Sequence, residues 1–171
     1  SDHTEKIRQL IDKAFRNRLG RMGISSSGLL TIDSIPEEYL TDRTRIENIR
    51  KILISETGTS ESAYEKLVEE FTFTLFNRIA ALKVMEAHTL HAEIITRRTQ
   101  HGNRSFAHFL WLEQNPQGRD LEQEGLVEFL ENQLSELAGD IPLFSIEHPY
   151  HLLPTAIELN TIISAFNQVE N

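Results

Sequence analysis

Two pairs of histidines have a spacing that could place imidazoles side by side for metal binding. His88 and His91 are separated by two residues, as are His148 and His151. A zinc site needs further ligands at fitting positions, and zinc helices of proteases carry H-E-x-x-H. Neither pair contains that glutamate, Pro149 interrupts the second pair, and the chain has no cysteine. We therefore expect no bound metal and interpret these histidines as polar surface or helix-capping residues.

Motifs for catalysis or for cofactor binding are absent from the sequence. The eight glycines form no G-x-G pattern that could cradle a phosphate, and no G-x-S-x-G nucleophile elbow occurs. Asp120, Glu122, Glu124 and Glu128 fit a solvated helix start, where acidic residues favour the helix dipole. They do not form a carboxylate pair in apolar surroundings. These 171 residues therefore predict neither a catalytic site nor a cofactor site.

Basic residues are the remaining candidates for function. All 17 Lys and Arg residues precede position 120, although the net charge of the chain is −9. Side chains of this type bind phosphates with salt-dependent and sequence-independent affinity. The candidate nucleic-acid contacts are Lys13, Arg16, Arg18, Arg21, Arg97 and Arg98, with Arg104 close to the last two. An ordinary solvated helix surface is the alternative, because Glu5, Asp12 and Glu93 are nearby in the sequence.

The apolar pattern predicts an all-α fold, an irregular bundle of about six helices around a long central helix at residues 64–85. A short extended segment is possible at 29–35 or at 91–98. The other predicted helices cover residues 3–19, 36–40, 41–56, 105–114, 121–138 and a last one from 155 or 161 to 169. A length of 171 residues fits a single domain. Without a signal peptide or a membrane-spanning apolar run, we expect a cytoplasmic protein.

The central helix carries apolar residues on two faces. One face runs from Tyr64 to Leu82, and the second comprises Phe73, Phe76, Ala80 and Val84. A helix that is apolar around most of its circumference is normally surrounded by other helices. Asn77 and Arg78 interrupt this pattern, and a buried Arg is rare unless it is paired. We expect Arg78 to pair with a carboxylate on another helix and Asn77 to bind a neighbouring loop, with a ligand site as the alternative.

Part of this helix resembles a known family. The stretch LFNRIAALKVME at 75–86 is similar to a helix of the form W-F-N-R-hydrophobic-x-A-L-R-F-M-[DE]. That helix belongs to the N-terminal region of the large adenine-specific DNA methyltransferases of BREX-type and DISARM-type phage defence and of fused restriction–modification enzymes. AFRNRL at 14–19 resembles the basic opening helix of the family. IPLF at 141–144, followed by LLP at 152–154 and II at 162–163, resembles the run before its catalytic domain.

The resemblance implies that the chain is a non-catalytic N-terminal helical domain of an adenine-specific (N6) DNA methyltransferase. The family binds S-adenosylmethionine through a glycine motif and holds the flipped adenine with N-P-P-[YF], and neither motif is present here. Asn115-Pro116-Gln117-Gly118 lacks the second proline and the aromatic residue. Both the cofactor and the chemistry are therefore expected elsewhere in the parent chain, beyond Asn171.

By the same resemblance, the domain assists DNA clamping or subunit docking. The partners it implies are the rest of the methyltransferase, duplex DNA and other defence-system subunits, and no membrane. The alternative is a stand-alone α-helical protein–protein interaction module without a role in nucleic-acid binding.

Overall fold

A computed structural model describes residues 2–168, and most of them are helical. Helical residues make up 72 % of the structure. Six α-helices form in this range: α1 (Asp2–Arg21), α2 (Leu40–Thr57), α3 (Ser60–Ala87), α4 (Phe106–Gln114), α5 (Leu126–Leu137) and α6 (Ala156–Gln168). The predicted all-α bundle of about six helices is confirmed. The predicted end of the last helix at Val169 lies outside the described residues.

Short 3-10 turns and one small hairpin connect these helices. The hairpin pairs β1 (Ile24–Ser25) with β2 (Gly28–Leu29) in antiparallel register. The extended segment predicted at 29–35 therefore lies earlier in the chain, and residues 32–34 form a turn instead. The predicted helix at 36–40 is a 3-10 turn that leads directly into α2. Residues 91–98 form no strand, although Arg98 makes a single β-bridge with Arg104.

Helix α1 packs on the central helix α3 through one apolar stripe. Ile7, Ile11, Phe15 and Leu19 recur every four residues and are all buried. The ring of Phe15 stacks on that of Phe71 in α3, with 5.4 Å between the centroids. The helix predicted at 3–19 is confirmed and extends by one or two residues at each end.

Helix α3 has 28 residues and is about 42 Å long. Its cap is Thr59, whose hydroxyl accepts a hydrogen bond from the backbone N–H of Ser62 at 3.0 Å. The helix begins at Ser60, four residues before the predicted start at residue 64. The first apolar face, from Tyr64 to Leu82, is buried as predicted.

The second apolar face of α3 remains largely at the surface. Phe73 is 59 % exposed and Val84 is 57 % exposed, whereas Phe76 and Ala80 are partly buried. The expectation that α3 is surrounded by other helices is therefore wrong. Phe76 packs against Phe166 of α6, with 5.6 Å between the ring centroids, whereas Phe73 and Val84 remain exposed.

The helix predicted at 121–138 begins later than expected. Gln123, Glu124 and Gly125 have φ values of 51°, 55° and 70°, so the backbone passes through the left-handed region before α5 starts at Leu126. A Cβ atom at Gly125 would lie 2.9 Å from the ring of Trp111. Both the positive φ and the contact with the indole favour glycine at this position.

Buried residues from Ile7 in α1 to Phe166 in α6 form one continuous hydrophobic core. Within residues 2–168, no helix combines the length and the apolar character that a membrane crossing requires.

Candidate functional site

Three of the four basic candidates of α1 are held by acidic residues of the same fold. Arg16 makes a two-pronged ion pair with Glu65, with N–O distances of 2.9 and 2.8 Å, and its Nε binds Asp12 at 2.6 Å. The hydrogen bonds to Glu65 and Asp12 raise the pKa of Arg16 above its usual value. A two-pronged pair of this kind fixes the guanidinium on α3.

The other basic positions of α1 differ in their engagement. Arg18 donates from Nε to the carbonyl of Leu153 at 3.2 Å and lies 3.5 Å from Asp42. Burial lowers the pKa of Arg18, against the opposing attraction of Asp42. Arg21 pairs with Glu158 at 3.3 Å. Lys13 is exposed and makes no hydrogen bond or ion pair with the described residues.

The second basic cluster has one exposed ion pair and one partly buried cation. Arg98 is exposed and binds Glu93 through two hydrogen bonds, of 3.1 and 2.6 Å. Arg97 is partly buried and donates to Asn160 at 2.7 Å and to Ser164 at 3.1 Å, both of them neutral groups on α6. Burial lowers the pKa of Arg97, and no carboxylate of residues 2–168 pairs with it. Arg97 and Arg98 therefore differ in environment although they are neighbours.

A polar cleft of about 200 Å³ lies beside Arg97. Arg104 also lines it and forms a two-pronged pair with Glu124, at 2.9 and 2.8 Å. Buried His108 donates from Nε2 to the carbonyl of Glu124 at 2.8 Å. The remaining lining residues are Gly102, Asn103, Gln123, Leu126 and Asn160. The cleft brings Arg97 and Arg104 together, whereas Lys13, Arg16, Arg18, Arg21 and Arg98 lie outside its lining.

Arg78 is the largest fully buried side chain of the described chain, with 1 % exposure. It donates from Nε to the carbonyl of Leu143 and from Nη2 to that of Ser145, each at 2.8 Å. Its Nη1 lies 2.7 Å from Nδ1 of His151, and Nε2 of His151 lies 2.9 Å from both oxygens of Glu131. The expected direct pair between Arg78 and a carboxylate is therefore wrong, because the imidazole stands between the two charges.

Burial is the main influence on the charge of this group. It lowers the pKa of Arg78 to about 10, and the negative charge of Glu131 acts in the opposite direction. Arg78 stays protonated at neutral pH. Asn77 is partly buried and its side chain makes no hydrogen bond with the described residues, so the contact expected for it with a neighbouring loop is also wrong.

Glu86, at the end of the same motif, has a role that the sequence did not reveal. The residue as a whole is 9 % exposed. Its carboxylate accepts hydrogen bonds from the backbone N–H groups of Ile94, Ile95 and Thr96. Three donors on one carboxylate fix the loop that follows α3 against the helix. An acidic residue at the end of an apolar helix is the only signal that could have indicated this role.

One histidine of each pair makes a local contact, whereas His151 contacts Arg78 and Glu131 instead. His91 donates from Nδ1 to the carbonyl of Ala92 at 2.7 Å, and His148 accepts at Nδ1 from the backbone N–H of Tyr150 at 3.0 Å. Within the part of the chain that is described, no three His, Cys, Asp or Glu side chains are grouped as a metal site requires.

Comparison with known proteins adds no identification: no known protein family matches the chain, and neither a curated protein nor a solved structure shows significant similarity to it.

Proposed function

We propose that the chain is the non-catalytic helical N-terminal domain of an adenine-specific (N6) DNA methyltransferase of a phage-defence or restriction–modification system. The support for this proposal is the resemblance of residues 75–86 to the family motif, together with the positions of the motif residues in the fold. S-adenosylmethionine and the methyl transfer belong to the parent chain. Within the enzyme, the domain packs on the catalytic core or docks a subunit.

One contact carries the proposal. The motif residue Arg78 binds the carbonyl of Leu143 in the IPLF stretch and the carbonyl of Ser145 directly after it. Residues 75–86 and 141–144 each resemble the family, and Arg78 and Leu143 are 65 residues apart in sequence. If both stretches come from one family, direct contact between them is expected. Arg78 of the first stretch then holds the backbone of the second stretch in place.

Docking is the role that the geometry favours over clamping of DNA by α1. Arg16, Arg18 and Arg21 are each engaged with acidic residues of other helices, so a DNA phosphate would have to compete with these ion pairs. Among the four candidate positions of α1, Lys13 is the one that needs no such exchange. The exposed stripe with Phe73 and Val84 is apolar, as the core of a subunit interface is.

The same stripe also favours the alternative, a stand-alone α-helical interaction module without a nucleic-acid role. A DNA-binding measurement tests the clamping role. Binding of the 171-residue chain to a fluorescent duplex is compared at about 50 and 200 mM salt, since phosphate contacts weaken steeply over this range. Salt-sensitive binding that Lys13→Glu reduces supports DNA clamping. Absence of binding at the lower salt concentration contradicts clamping. A methyltransferase domain in the same reading frame then distinguishes docking within the enzyme from the stand-alone module.

A further inference from the structure

The polar cleft between residues 97–104 and the start of α5 contains more positive than negative charge. Arg97 and Arg104 line it, and Glu124 is the one carboxylate of residues 2–168 that does so. Arg104 and Glu124 neutralise each other through their two-pronged pair. The charge of Arg97 is therefore left without a counterion. Burial of cations without a nearby anion is unfavourable, so this arrangement suits an anion from outside.

Hydrogen-bond donors in the cleft also lack protein acceptors. A guanidinium has five N–H groups, and Arg97 uses two of them on Asn160 and Ser164. The side-chain amides of Asn103 and Gln123 line the same cleft and make no hydrogen bond with the described residues. Oxyanions are bound in proteins by such a combination of one guanidinium and neutral N–H donors.

Two walls of the cleft have an unusual backbone. Asn103 has a φ of 62°, and Gln123 and Glu124 have φ values of 51° and 55°. Left-handed conformations cost free energy in residues with a side chain, and such strain concentrates at functional sites. Two of these three residues, Asn103 and Gln123, line the cleft with side-chain amides.

The nearby histidine responds to the same positive potential. Burial of His108 is the main cause of its lowered pKa, and the charges of Arg104 and Arg97 lower it further. His108 is therefore neutral at pH 7, and its Nε2 proton is already bound to the carbonyl of Glu124.

We propose that this cleft is a binding site for a phosphate-type oxyanion, held by the guanidinium of Arg97 and the side-chain amides of Asn103 and Gln123. The volume of about 200 Å³ accommodates one such group. The group is either a phosphodiester of a nucleic acid or the phosphate of a small ligand. This site does not depend on the proposed methyltransferase context.

The test is a titration of the 171-residue chain with inorganic phosphate at pH 7, followed by nitrogen-15 NMR. A parallel titration with chloride at equal ionic strength controls for charge screening. Because chemical shifts report on individual amides, the general stabilisation that phosphate gives to folded proteins does not affect the result. We expect saturable shifts at the backbone amides of Gly102, Asn103 and Gln123 with phosphate alone. Absence of saturable shifts at about 50 mM phosphate, where a millimolar site would be occupied, overturns the proposal.

Two variants and a matched control locate the site. Arg97→Gln removes the cation, and Asn160→Asp places a carboxylate 2.7 Å from the same guanidinium while the side-chain shape is retained. Both variants should weaken phosphate binding about tenfold or more, since a charge-assisted contact is lost or blocked. Arg98→Gln is the control because Arg98 pairs with Glu93 outside the cleft. Wild-type affinity in a folded Asn160→Asp protein would contradict the proposal.

A duplex oligonucleotide without terminal phosphates identifies the source of the anion. If the duplex shifts the same three amides and competes with phosphate, the natural occupant is a nucleic-acid phosphodiester. If phosphate shifts them and the duplex does not, the occupant is a small phosphate-bearing ligand. Either result supports the site, and the second would at the same time count against DNA contact in this part of the domain.

Discussion

The buried Arg78 donates a hydrogen bond to Nδ1 of the partly buried His151 across 2.7 Å. Arginine has no acceptor, so Nδ1 must be the unprotonated nitrogen of this imidazole. The ring proton then lies on Nε2, which donates to Glu131 at 2.9 Å. A chain of three side chains therefore connects α3 with α5 through His151 of the segment that joins α5 to α6, and the two formal charges are separated by a neutral ring.

The first prediction concerns the stability that Arg78 provides. Arg78→Ala leaves the carbonyls of Leu143 and Ser145 without their buried donors, so we expect a loss of about 3–5 kcal/mol in the free energy of unfolding. Urea unfolding would show a lower midpoint with an unchanged slope. Arg8→Ala is the matched control, since Arg8 is exposed over the ring of Phe76 and should cost about 1 kcal/mol or less. Equal losses in the two variants would contradict the anchoring role of Arg78.

The second prediction concerns the tautomer of His151. Long-range nitrogen–proton correlation spectra should show a neutral ring with the proton on Nε2 at pH 7. The physical reason is the geometry at Nδ1, which faces a group that can only donate. A spectrum with the proton on Nδ1 would contradict the described contact between His151 and Arg78.

The third prediction concerns pH. Burial lowers the pKa of His108 and also that of His148, so the folded state binds protons less readily than the unfolded chain. The stability due to these neutral rings is complete above the unfolded value of about 6.5 and falls as the pH drops from there toward the lowered values. Unfolding midpoints measured between pH 7.5 and 5 should therefore decrease toward the acidic end.

His108→Gln isolates one contribution to this pH dependence. The glutamine can keep the hydrogen bond to the carbonyl of Glu124 but does not titrate, so the acid-side slope should become smaller. His3→Gln is the control because His3 is exposed at the start of α1. The lowered pKa of Glu124 and Glu158 affects stability only below about 4.5, outside this window. An unchanged slope in His108→Gln would contradict the prediction.

The fourth prediction concerns Glu86. Glu86→Gln replaces a carboxylate that accepts from three backbone N–H groups by an amide with one acceptor oxygen. We expect a loss of about 2–3 kcal/mol and faster hydrogen exchange at Ile94 and Ile95. Glu69→Gln is the control, since its side chain is 69 % exposed and bound to Lys66 alone. Unchanged exchange at both amides would show that the carboxylate does not hold the loop.

The helices could be predicted from the sequence because their apolar spacing is local. α1, α2, α3 and α6 lie close to their predicted positions, since periodicity determines which face is buried. The start of α5 could not be predicted, because it depends on three left-handed residues and on the contact between Gly125 and Trp111. Tertiary contact determines the backbone there.

The candidate site was less predictable than the fold, because its partners are distant in sequence. Glu65 is 49 residues from Arg16, and the acceptor at Leu143 is 65 residues from Arg78. A backbone carbonyl carries no residue-type signal, so the sequence could indicate that Arg78 needs a partner but not that the partner is main chain. The exposure of Phe73 was likewise hidden, since apolar spacing does not show which of two apolar faces is covered.

The most direct test of the proposed function is adenine methylation in cells that carry the complete gene. We expect its reading frame to continue into a glycine motif and an N-P-P-[YF] motif, and sequencing of N6-methyladenine to show gene-dependent methylation at one recognition site. Deletion of the segment encoding these 171 residues should abolish the methylation, and expression of the segment as a separate chain should restore part of it. A reading frame without a methyltransferase domain, or full methylation after the deletion, would contradict the proposal.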